Sequence, residues 1–189
     1  CAHLNSQDRV PCDRSLYLHQ RDAIARASRG DNPAMLITAG TGAGKTESFL
    51  LPVLNELYSR ERRGSGVQCI ILYPMNALVN DQVERLYEWL KGQSRLKLFH
   101  FTSETPESIR DLKNKPKYDS CRVLSRQQAR GEENEEGKDI SGGPQPDILI
   151  TNYSMLEYML CRPQDNVFFG RGLRCLVLDE AHLYTGTLA

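Results

Sequence analysis

The feature that most constrains this chain is a glycine-rich segment between an apolar run and a helix-like run. It reads Thr-Ala-Gly-Thr-Gly-Ala-Gly-Lys-Thr-Glu over residues 38–47, after the apolar residues 34–37 and before the periodic residues 48–58. A buried strand, a glycine-rich turn and a Gly-Lys-Thr that opens a helix form a P-loop pattern, which cradles phosphate groups. The strict pattern has Gly where this chain has Ala39. The order of the three parts nevertheless favours a phosphate site over a turn that binds nothing.

The pattern also assigns roles within the segment. Glycines allow successive backbone N–H groups to face an anion, and the positive end of the following helix dipole adds to the attraction. Lys45 is expected to reach the terminal phosphates of a nucleotide, and the Thr46 hydroxyl is expected to ligate Mg²⁺. The residues predicted to hold the nucleotide are Gly40, Thr41, Gly42, Ala43, Gly44, Lys45, Thr46 and Glu47.

Apolar strands and amphipathic helices alternate along the chain, which predicts an α/β fold with a parallel sheet sandwiched by helices. The predicted strands are at residues 34–37, 67–73, 96–101, 147–151 and 174–178. The predicted helices are at residues 16–29, 48–60, 79–90, 106–115 and 154–160. Ligands of such sheets bind beyond the carboxyl ends of the strands, so the polar segments that follow the strands are expected to share one edge.

Two charged segments interrupt this pattern. Residues 127–146 contain almost no apolar side chain, which predicts a mobile loop rather than a domain boundary. Residues 95–126 carry eight Lys or Arg and four Asp or Glu, a local net charge of +4. Such a run is either a solvated face or a nucleic-acid contact, and the pattern leaves both readings open.

Composition limits the possible partners and the location. The chain of 189 residues carries 24 basic and 24 acidic side chains, so only local patches could bind nucleic acid. No apolar run approaches the ~20 residues of a membrane-spanning helix. Six cysteines without metal-ligand spacing fit a reducing cytoplasm. The length predicts about one domain, over residues 1–189. Because the first residue is Cys1 rather than Met, we expect a fragment of a longer protein.

A second chemical signal follows the last predicted strand. The apolar residues 176–178 end in Asp179 and Glu180, which is the form of a Walker B strand that delivers a carboxylate to Mg²⁺. Asp179 is expected to contact the metal, directly or through water, and Glu180 to orient and deprotonate the water that attacks the γ-phosphate. Alone, this signal is weak and more typical of a solvated strand end. Next to a P-loop it predicts that Lys45 and Asp179 lie on neighbouring strands and face one magnesium triphosphate.

These motifs resemble those of the first RecA-like lobe of the DEAD/DEAH-box helicases of superfamily 2. Residues 39–46 are similar to motif I, in which Ala at the first place is common, and Asp-Glu-Ala-His at 179–182 is similar to motif II in its DEAH spelling. The resemblance implies a RecA-like P-loop NTPase fold, ATP and Mg²⁺ as cofactors, and a coupling role for His182. By helical spacing alone Gln20 is a surface amide, whereas the resemblance matches it to the Q-motif glutamine that reads the adenine edge.

The resemblance also places a nucleic-acid strand on the shared sheet edge. Tyr-Pro-Met-Asn-Ala-Leu at 73–78 resembles motif Ia, and Thr-Asn-Tyr at 151–153 takes the place of the Thr-Pro-Gly-Arg motif. In the family these loops, with one near residue 102, hold the sugar-phosphate backbone, a task that suits hydroxyls and amides. Taken singly, such residues are more often helix caps or turn residues. The residues predicted to contact the strand are Pro74, Met75, Asn76, Thr102, Ser103, Thr151, Asn152 and Tyr153.

The spelling of these motifs looks closest to large bacterial Lhr-like DNA helicases, which favours DNA over RNA as the partner. Nothing in the sequence resembles motif III or the second RecA-like lobe with its arginine finger. We therefore expect a sheet that is incomplete at the C-terminus and a chain that hydrolyses ATP poorly by itself. Two other classes stay open. One is a P-loop kinase for a small molecule, and the other is a nucleotide-gated interaction module without motor activity.

Overall fold

The computed structural model describes residues 15–29, 34–40, 42–59, 64–93, 95–113 and 123–184. The chain divides into two compact units, Cys1–Glu61 and Arg62–Ala189. Each unit has its own secondary structure and is described separately below. The prediction of one lobe over residues 1–189 stays a prediction.

The described residues of the first unit form two helices, α1 (Leu18–Ala27) and α2 (Lys45–Ser59). They confirm the two helices predicted in this part of the sequence, because apolar residues at helical spacing give each helix a side that can be buried. In α2 that side includes Leu50, Leu54 and Leu57, all of which are buried. The helix begins three residues earlier than predicted, so the glycine-rich segment leads directly into it.

The strand predicted at residues 34–37 is wrong. Residues 34–40 have no regular secondary structure, and the side chain of Leu36 is 85% exposed. A strand exists only where its backbone is hydrogen-bonded to a neighbouring strand. Among the described residues of the first unit there is no other strand to provide those bonds. An apolar run of four residues is therefore not sufficient to make a strand here.

The second unit is built on a four-stranded parallel sheet. Its strands are β1 (Cys69–Tyr73), β2 (Leu98–Phe101), β3 (Ile148–Asn152) and β4 (Cys175–Leu178). Their order across the sheet is β2-β3-β1-β4, and every neighbouring pair is parallel. These four strands confirm the predicted α/β fold and four of the five predicted strands.

Helices lead from each strand back to the start of the next, as a parallel sheet requires. They are α3 (Asn76–Leu90), α4 (Ile109–Lys113), α5 (Arg126–Arg130), α6 (Tyr153–Leu160) and a 3₁₀ helix at Pro163–Phe168, and a second 3₁₀ helix at Ala181–Tyr184 follows β4. The helices predicted near α3, α4 and α6 are confirmed, although α4 is only five residues long. Within the described parts of the chain, no helix has the length and apolarity needed to cross a bilayer.

Burial across the sheet is uneven. All residues of β1 and β2 are buried, and aromatic rings from β2 pack against Phe168 on one face. The outer strand β4 differs, because Leu176 and Leu178 are 59% and 48% exposed. A Walker B strand is expected to be a buried apolar run, and that expectation is wrong for Leu176 and Leu178, because no described element packs over them closely enough to bury them.

Residues 126–146 have more structure than their composition predicts. Ser125 caps α5 by accepting a hydrogen bond from the backbone N–H of Gln128, and Gly131 ends the helix with a φ of +78°. Arg130 and Glu133 are buried, and both are held by polar contacts. The loop predicted over residues 127–146 therefore begins with the last four residues of α5, and hydrogen bonds and ion pairs take the place of apolar contacts there. Mobility of the segment stays a prediction.

Candidate nucleotide site and strand edge

The glycine-rich segment of the first unit has the backbone shape of a phosphate cradle. Gly42 and Gly44 have φ values of +74° and +73°, a region that side chains other than glycine rarely adopt. The N–H of Ala43 donates to the carbonyl of Gly40 at 3.3 Å, which closes the turn. A Cβ atom added at Gly40 or Gly42 would meet none of the described atoms within 4 Å, so there is space beside the backbone.

The segment then enters α2 without a break. Lys45 is the first residue of this helix, and Thr46 and Glu47 follow in its first turn. The N–H groups of a first helical turn have no partners within the helix, and the helix dipole makes this end positive. This arrangement fits an anion such as a nucleotide phosphate. Thr41, also predicted to hold the nucleotide, lies outside the described residues.

Gln20 lies against this cradle and is buried, so the prediction of a surface amide is wrong. Its side-chain N–H donates to the carbonyl of Gly44 at 3.0 Å, and its side-chain oxygen accepts from the N–H of Tyr17 at the same distance. Ser48 also donates its hydroxyl to the Gly44 carbonyl, at 3.3 Å. An amide side chain has two N–H groups and two lone pairs, so each end of Gln20 retains capacity for a ligand.

The acidic pair of the second unit stands at the carboxyl end of β4. The N–H of Asp179 donates to the carbonyl of Leu72 at 3.0 Å, so the ladder between β4 and β1 continues to this residue. One carboxylate oxygen of Asp179 accepts from the N–H of Glu180 at 2.9 Å. Glu180 has a φ of +48°, which is strained for a residue with a side chain and is typical of functional sites. His182 Nδ1 lies 3.4 Å from a carboxylate oxygen of Glu180.

The chemistry of these groups is compatible with magnesium. Among the described residues, no group of three or more His, Cys, Asp or Glu side chains is arranged to hold a metal alone. Mg²⁺ is usually held by one or two carboxylates together with substrate phosphates and water, so a protein cage is not required. The partly exposed carboxylate of Asp179 is of the right kind. Mg²⁺ would therefore come with the nucleotide.

Two tyrosines near this carboxylate were not singled out from the sequence. Tyr73 is the last residue of β1, and Tyr184 ends the 3₁₀ helix that follows Asp179. Burial, and next the negative charge of Asp179, raise the pKa of Tyr73 and raise the pKa of Tyr184 to about 12. Both hydroxyls are inaccessible and have no hydrogen-bond partner among the described residues. The signal in the sequence that could have identified Tyr73 is its hydroxyl group at the end of an otherwise apolar strand.

The carboxyl ends of β1 and β3 bring two predicted strand-contact segments together. The side-chain oxygen of Asn152 accepts from the N–H of Met155 at 2.8 Å and so caps α6. Its side-chain N–H donates to the side-chain oxygen of Asn76, which is at the start of α3. Pro74 is partly buried, whereas Met75 and Tyr153 are exposed beside this pair. The shared edge predicted from the sequence is therefore present between β1 and β3.

The threonines on this edge use their hydroxyls within the protein. Thr151 is buried and donates to the carbonyl of Phe101 at 2.7 Å. Thr102 is also buried, and its hydroxyl accepts from the N–H of Glu104 at 3.3 Å. The turn-residue alternative describes Thr102, whereas Thr151 lies within β3 and its hydroxyl bonds to the neighbouring strand β2. Ser103 is exposed.

An arginine supports the same turn. Arg126 donates to the carbonyl of Thr102 at 3.0 Å, and its guanidinium carbon lies 4.6 Å from the ring centre of Phe101. The sequence singled out only the net positive charge of residues 95–126. The structure gives this arginine a packing role, because an arginine over an aromatic face stabilises both groups.

Comparison with known proteins gives concordant matches. The profile of the DEAD/DEAH box helicase family matches residues 17–187. Druantia protein DruE of Escherichia coli strain UMEA 4076-1 is 32% identical, over 90% of this chain and 14% of that protein. ATP-dependent helicase hrq1 of Schizosaccharomyces pombe strain 972 is 24% identical, over 90% of this chain and 13% of that protein.

A solved structure is also similar. It is the crystal structure of the DUF1998 helicase MrfA bound to DNA and AMPPNP, with a TM-score of 0.65 and 25% identity. The match covers 97% of this chain and 21% of that one. This chain therefore spans between 13% and 21% of the length of these three relatives.

Proposed function

Because the chain belongs to the DEAD/DEAH box helicase family and has its RecA-like α/β fold, we propose that it is the ATP-binding lobe of an ATP-dependent nucleic-acid helicase or translocase. The observation that carries the proposal is the phosphate cradle, in which Gly42 and Gly44 adopt positive φ directly before α2. A nucleotide bound there would meet backbone N–H groups and the positive end of a helix dipole. Gln20, hydrogen-bonded to that cradle, is proposed to read the adenine edge.

The proposed chemistry divides between the two motifs. Lys45 would hold the terminal phosphates, and Thr46 and Asp179 would provide ligands for Mg²⁺, which would neutralise charge on the phosphates. Glu180 orients the attacking water and accepts its proton. His182, 3.4 Å from Glu180, is proposed to couple this carboxylate to the state of the neighbouring lobe. Phosphoryl transfer depends on positioning and charge neutralisation, which these groups supply.

The proposed nucleic-acid contact is the edge formed by the ends of β1 and β3. Met75, Asn76, Asn152 and Tyr153 offer amides, backbone N–H groups and an exposed ring, which bind a strand without reading its sequence. Pro74 and Ser103 belong to the same edge. Because their hydroxyls are already used, Thr102 and Thr151 are proposed to contribute backbone position rather than side-chain contacts. DNA is favoured over RNA, because DNA is the nucleic acid in the similar MrfA structure.

A second RecA-like lobe of the same protein is the proposed partner. In related phosphoryl-transfer enzymes an arginine supplied from outside the P-loop unit raises the rate by about 10³ to 10⁵. We therefore propose that the chain alone binds ATP but hydrolyses it very slowly. A cytoplasmic location is part of the same proposal, since ATP, Mg²⁺ and nucleic acid are all available there.

The test is the ATPase rate of the full-length protein with and without single-stranded DNA or RNA. We expect stimulation by DNA, loss of nucleotide binding in Lys45→Ala, and retained binding with turnover reduced by about 10² or more in Glu180→Gln. An ATPase rate that neither DNA nor RNA changes would favour a different P-loop enzyme. Nucleotide binding without any turnover would favour a nucleotide-gated interaction module.

A further inference from the structure

Tyr73 has a buried hydroxyl group at the end of β1. Its side chain is 0% exposed, and the hydroxyl has no hydrogen-bond partner among the described residues. A buried hydroxyl without a partner destabilises a folded protein. Most buried polar groups are therefore paired, and an exception calls for a physical reason.

The position of Tyr73 relates it to Asp179. Leu72 and Leu178 are opposite each other in the ladder between β1 and β4, and Asp179 continues that ladder by donating to the Leu72 carbonyl. Tyr73 is the last residue of β1, and Asp179 follows directly after β4. Opposite residues of a parallel ladder project to the same face of the sheet, so their side chains are neighbours.

The two groups are chemically complementary. A tyrosine hydroxyl is protonated at neutral pH, so that of Tyr73 can donate a hydrogen bond. One oxygen of Asp179 accepts from the N–H of Glu180, but a carboxylate has about four lone-pair sites. Tyr73 also begins the segment Tyr73-Pro74-Met75-Asn76, in which the last three residues are proposed to contact nucleic acid.

We propose that Tyr73 is a positioning residue whose hydroxyl donates a hydrogen bond to the Asp179 carboxylate in the nucleotide-bound state. The inference rests on the proposed function. It assigns the hydroxyl a partner that is reached only in the nucleotide-bound state. It also makes the end of β1 a direct physical link between the ATP-side carboxylate and the strand-contact segment.

The test uses Tyr73→Phe in the full-length protein, because this change removes only the hydroxyl. Without nucleotide, its thermal midpoint should equal or exceed that of the wild type, since an unpaired hydroxyl is deleted. The Mg²⁺ concentration that gives half-maximal binding of a fluorescent ATP analogue should rise about tenfold, as expected for a lost hydrogen bond to a charged group. Stimulation of the ATPase by single-stranded DNA should also be weaker in this variant than in the wild type.

Two matched variants separate the explanations. Tyr158→Phe removes a hydroxyl from an exposed tyrosine on α6 and should leave all three measurements unchanged. Tyr184→Phe removes the other unpartnered hydroxyl near Asp179, and should have a smaller effect on the Mg²⁺ requirement than Tyr73→Phe. A larger effect at Tyr184 would overturn the assignment to Tyr73.

Two further outcomes would also overturn the inference. One is a lower thermal midpoint of Tyr73→Phe without nucleotide, because the hydroxyl would then have a structural partner. The other is an unchanged Mg²⁺ requirement in a protein whose wild type is stimulated by DNA. A wild type that binds Mg²⁺ and nucleotide but is not stimulated by DNA would instead count against the proposed function, while the binding measurement still decides the role of Tyr73.

Discussion

The side-chain amide of Asn152 donates a hydrogen bond to the side-chain oxygen of Asn76, with 2.5 Å between nitrogen and oxygen. The two residues are 76 positions apart in sequence and lie at the carboxyl ends of neighbouring strands, where Tyr73 and Asn152 are opposite each other in the ladder. Asn152 also caps α6. One side chain therefore orients the first turn of a helix and ties it to the start of α3.

The two roles of Asn152 can be separated by substitution. Asn152→Ala removes the cap and the link, and should lower the free energy of unfolding by about 1 to 2 kcal/mol. Asn152→Ser keeps a capping oxygen but cannot reach Asn76, so it should lose only part of that stability. Chemical denaturation gives the stability, and the affinity for single-stranded DNA should fall in both variants. Full stability together with full affinity in Asn152→Ala would show that the link has no role.

The contact between Gln20 and Gly44 makes a second prediction. Gly42 and Gly44 have nearly the same positive φ, but a Cβ at Gly44 would collide with the Gln20 amide whereas one at Gly42 would meet open space. Ala at either position should cost about 1 kcal/mol of backbone strain. Gly44→Ala should lower the thermal midpoint more than Gly42→Ala does, because the side-chain amide of Gln20 must also move.

A double variant tests the cause of that difference. In Gly44→Ala combined with Gln20→Ala the collision is absent, so the added loss at Gly44 should be recovered in part. Gly42→Ala combined with Gln20→Ala should show simple addition of the two single effects. Equal non-additivity in both pairs would mean that Gln20 acts on the whole loop rather than on Gly44.

These residues also show how far the sequence could predict the structure. The strands of the second unit were found within two residues, because each is a short apolar run bounded by turn residues. The run at residues 34–37 looks the same in sequence but forms no strand, since pairing depends on a neighbour that composition does not reveal. Gln20 has the spacing of a surface residue, and only the folded chain places it against Gly44.

The candidate site was predictable as a set of motifs and not as a set of contacts. Thr102 and Thr151 have the residue type of phosphate ligands, yet their hydroxyls are bonded within the protein, and that choice is made by tertiary packing. Tyrosine counts as apolar in a strand pattern, so the pattern predicts no role for the hydroxyl of Tyr73. The prediction that Lys45 and Asp179 face one magnesium triphosphate stays a prediction.

The buried arginine of α5 gives a third prediction. Arg130 contacts the carboxylates of Glu107, Glu132 and Asp165, and the Asp165 side chain is 0% exposed. Arg130→Met should lower the free energy of unfolding by about 3 to 5 kcal/mol, because it leaves a buried carboxylate without its closest cation. Asp165→Asn should cost less, since Arg130 keeps its other two partners. Urea denaturation of both variants gives the comparison.

The pH dependence of Arg130→Met provides an independent check. Burial raises the pKa of Asp165, and the charges of Arg162 and Arg130 oppose that rise. Without Arg130 the pKa should rise further, and an acid with a raised folded-state pKa favours folding at low pH. The loss of unfolding free energy in Arg130→Met, relative to the wild type, should therefore be smaller near about pH 4 than near about pH 7. A deficit that is constant with pH would exclude a charged Asp165 as its cause.

The buried histidine of β2 gives the fourth prediction. His100 is opposite Ile150 in the ladder and 2% exposed, and burial lowers its pKa to about 4. In the unfolded chain the pKa of histidine is about 6.5. Above that value both states are neutral, so His100 adds no pH dependence. As the pH falls below about 6.5, the unfolded chain binds a proton that the folded protein excludes until about pH 4, so stability falls over this window.

The size of the effect follows from the same difference in pKa. The difference between a histidine pKa of about 6.5 in the unfolded chain and about 4 in the folded protein lowers the free energy of unfolding by about 3 kcal/mol between neutral pH and pH 4. His100→Leu cannot bind the proton, so its free energy of unfolding should fall less steeply over this range even if its absolute stability at pH 7 is lower. The readout is the slope of unfolding free energy against pH for the two proteins. Parallel slopes would mean that His100 is protonated in the folded protein and that other groups set the acid sensitivity.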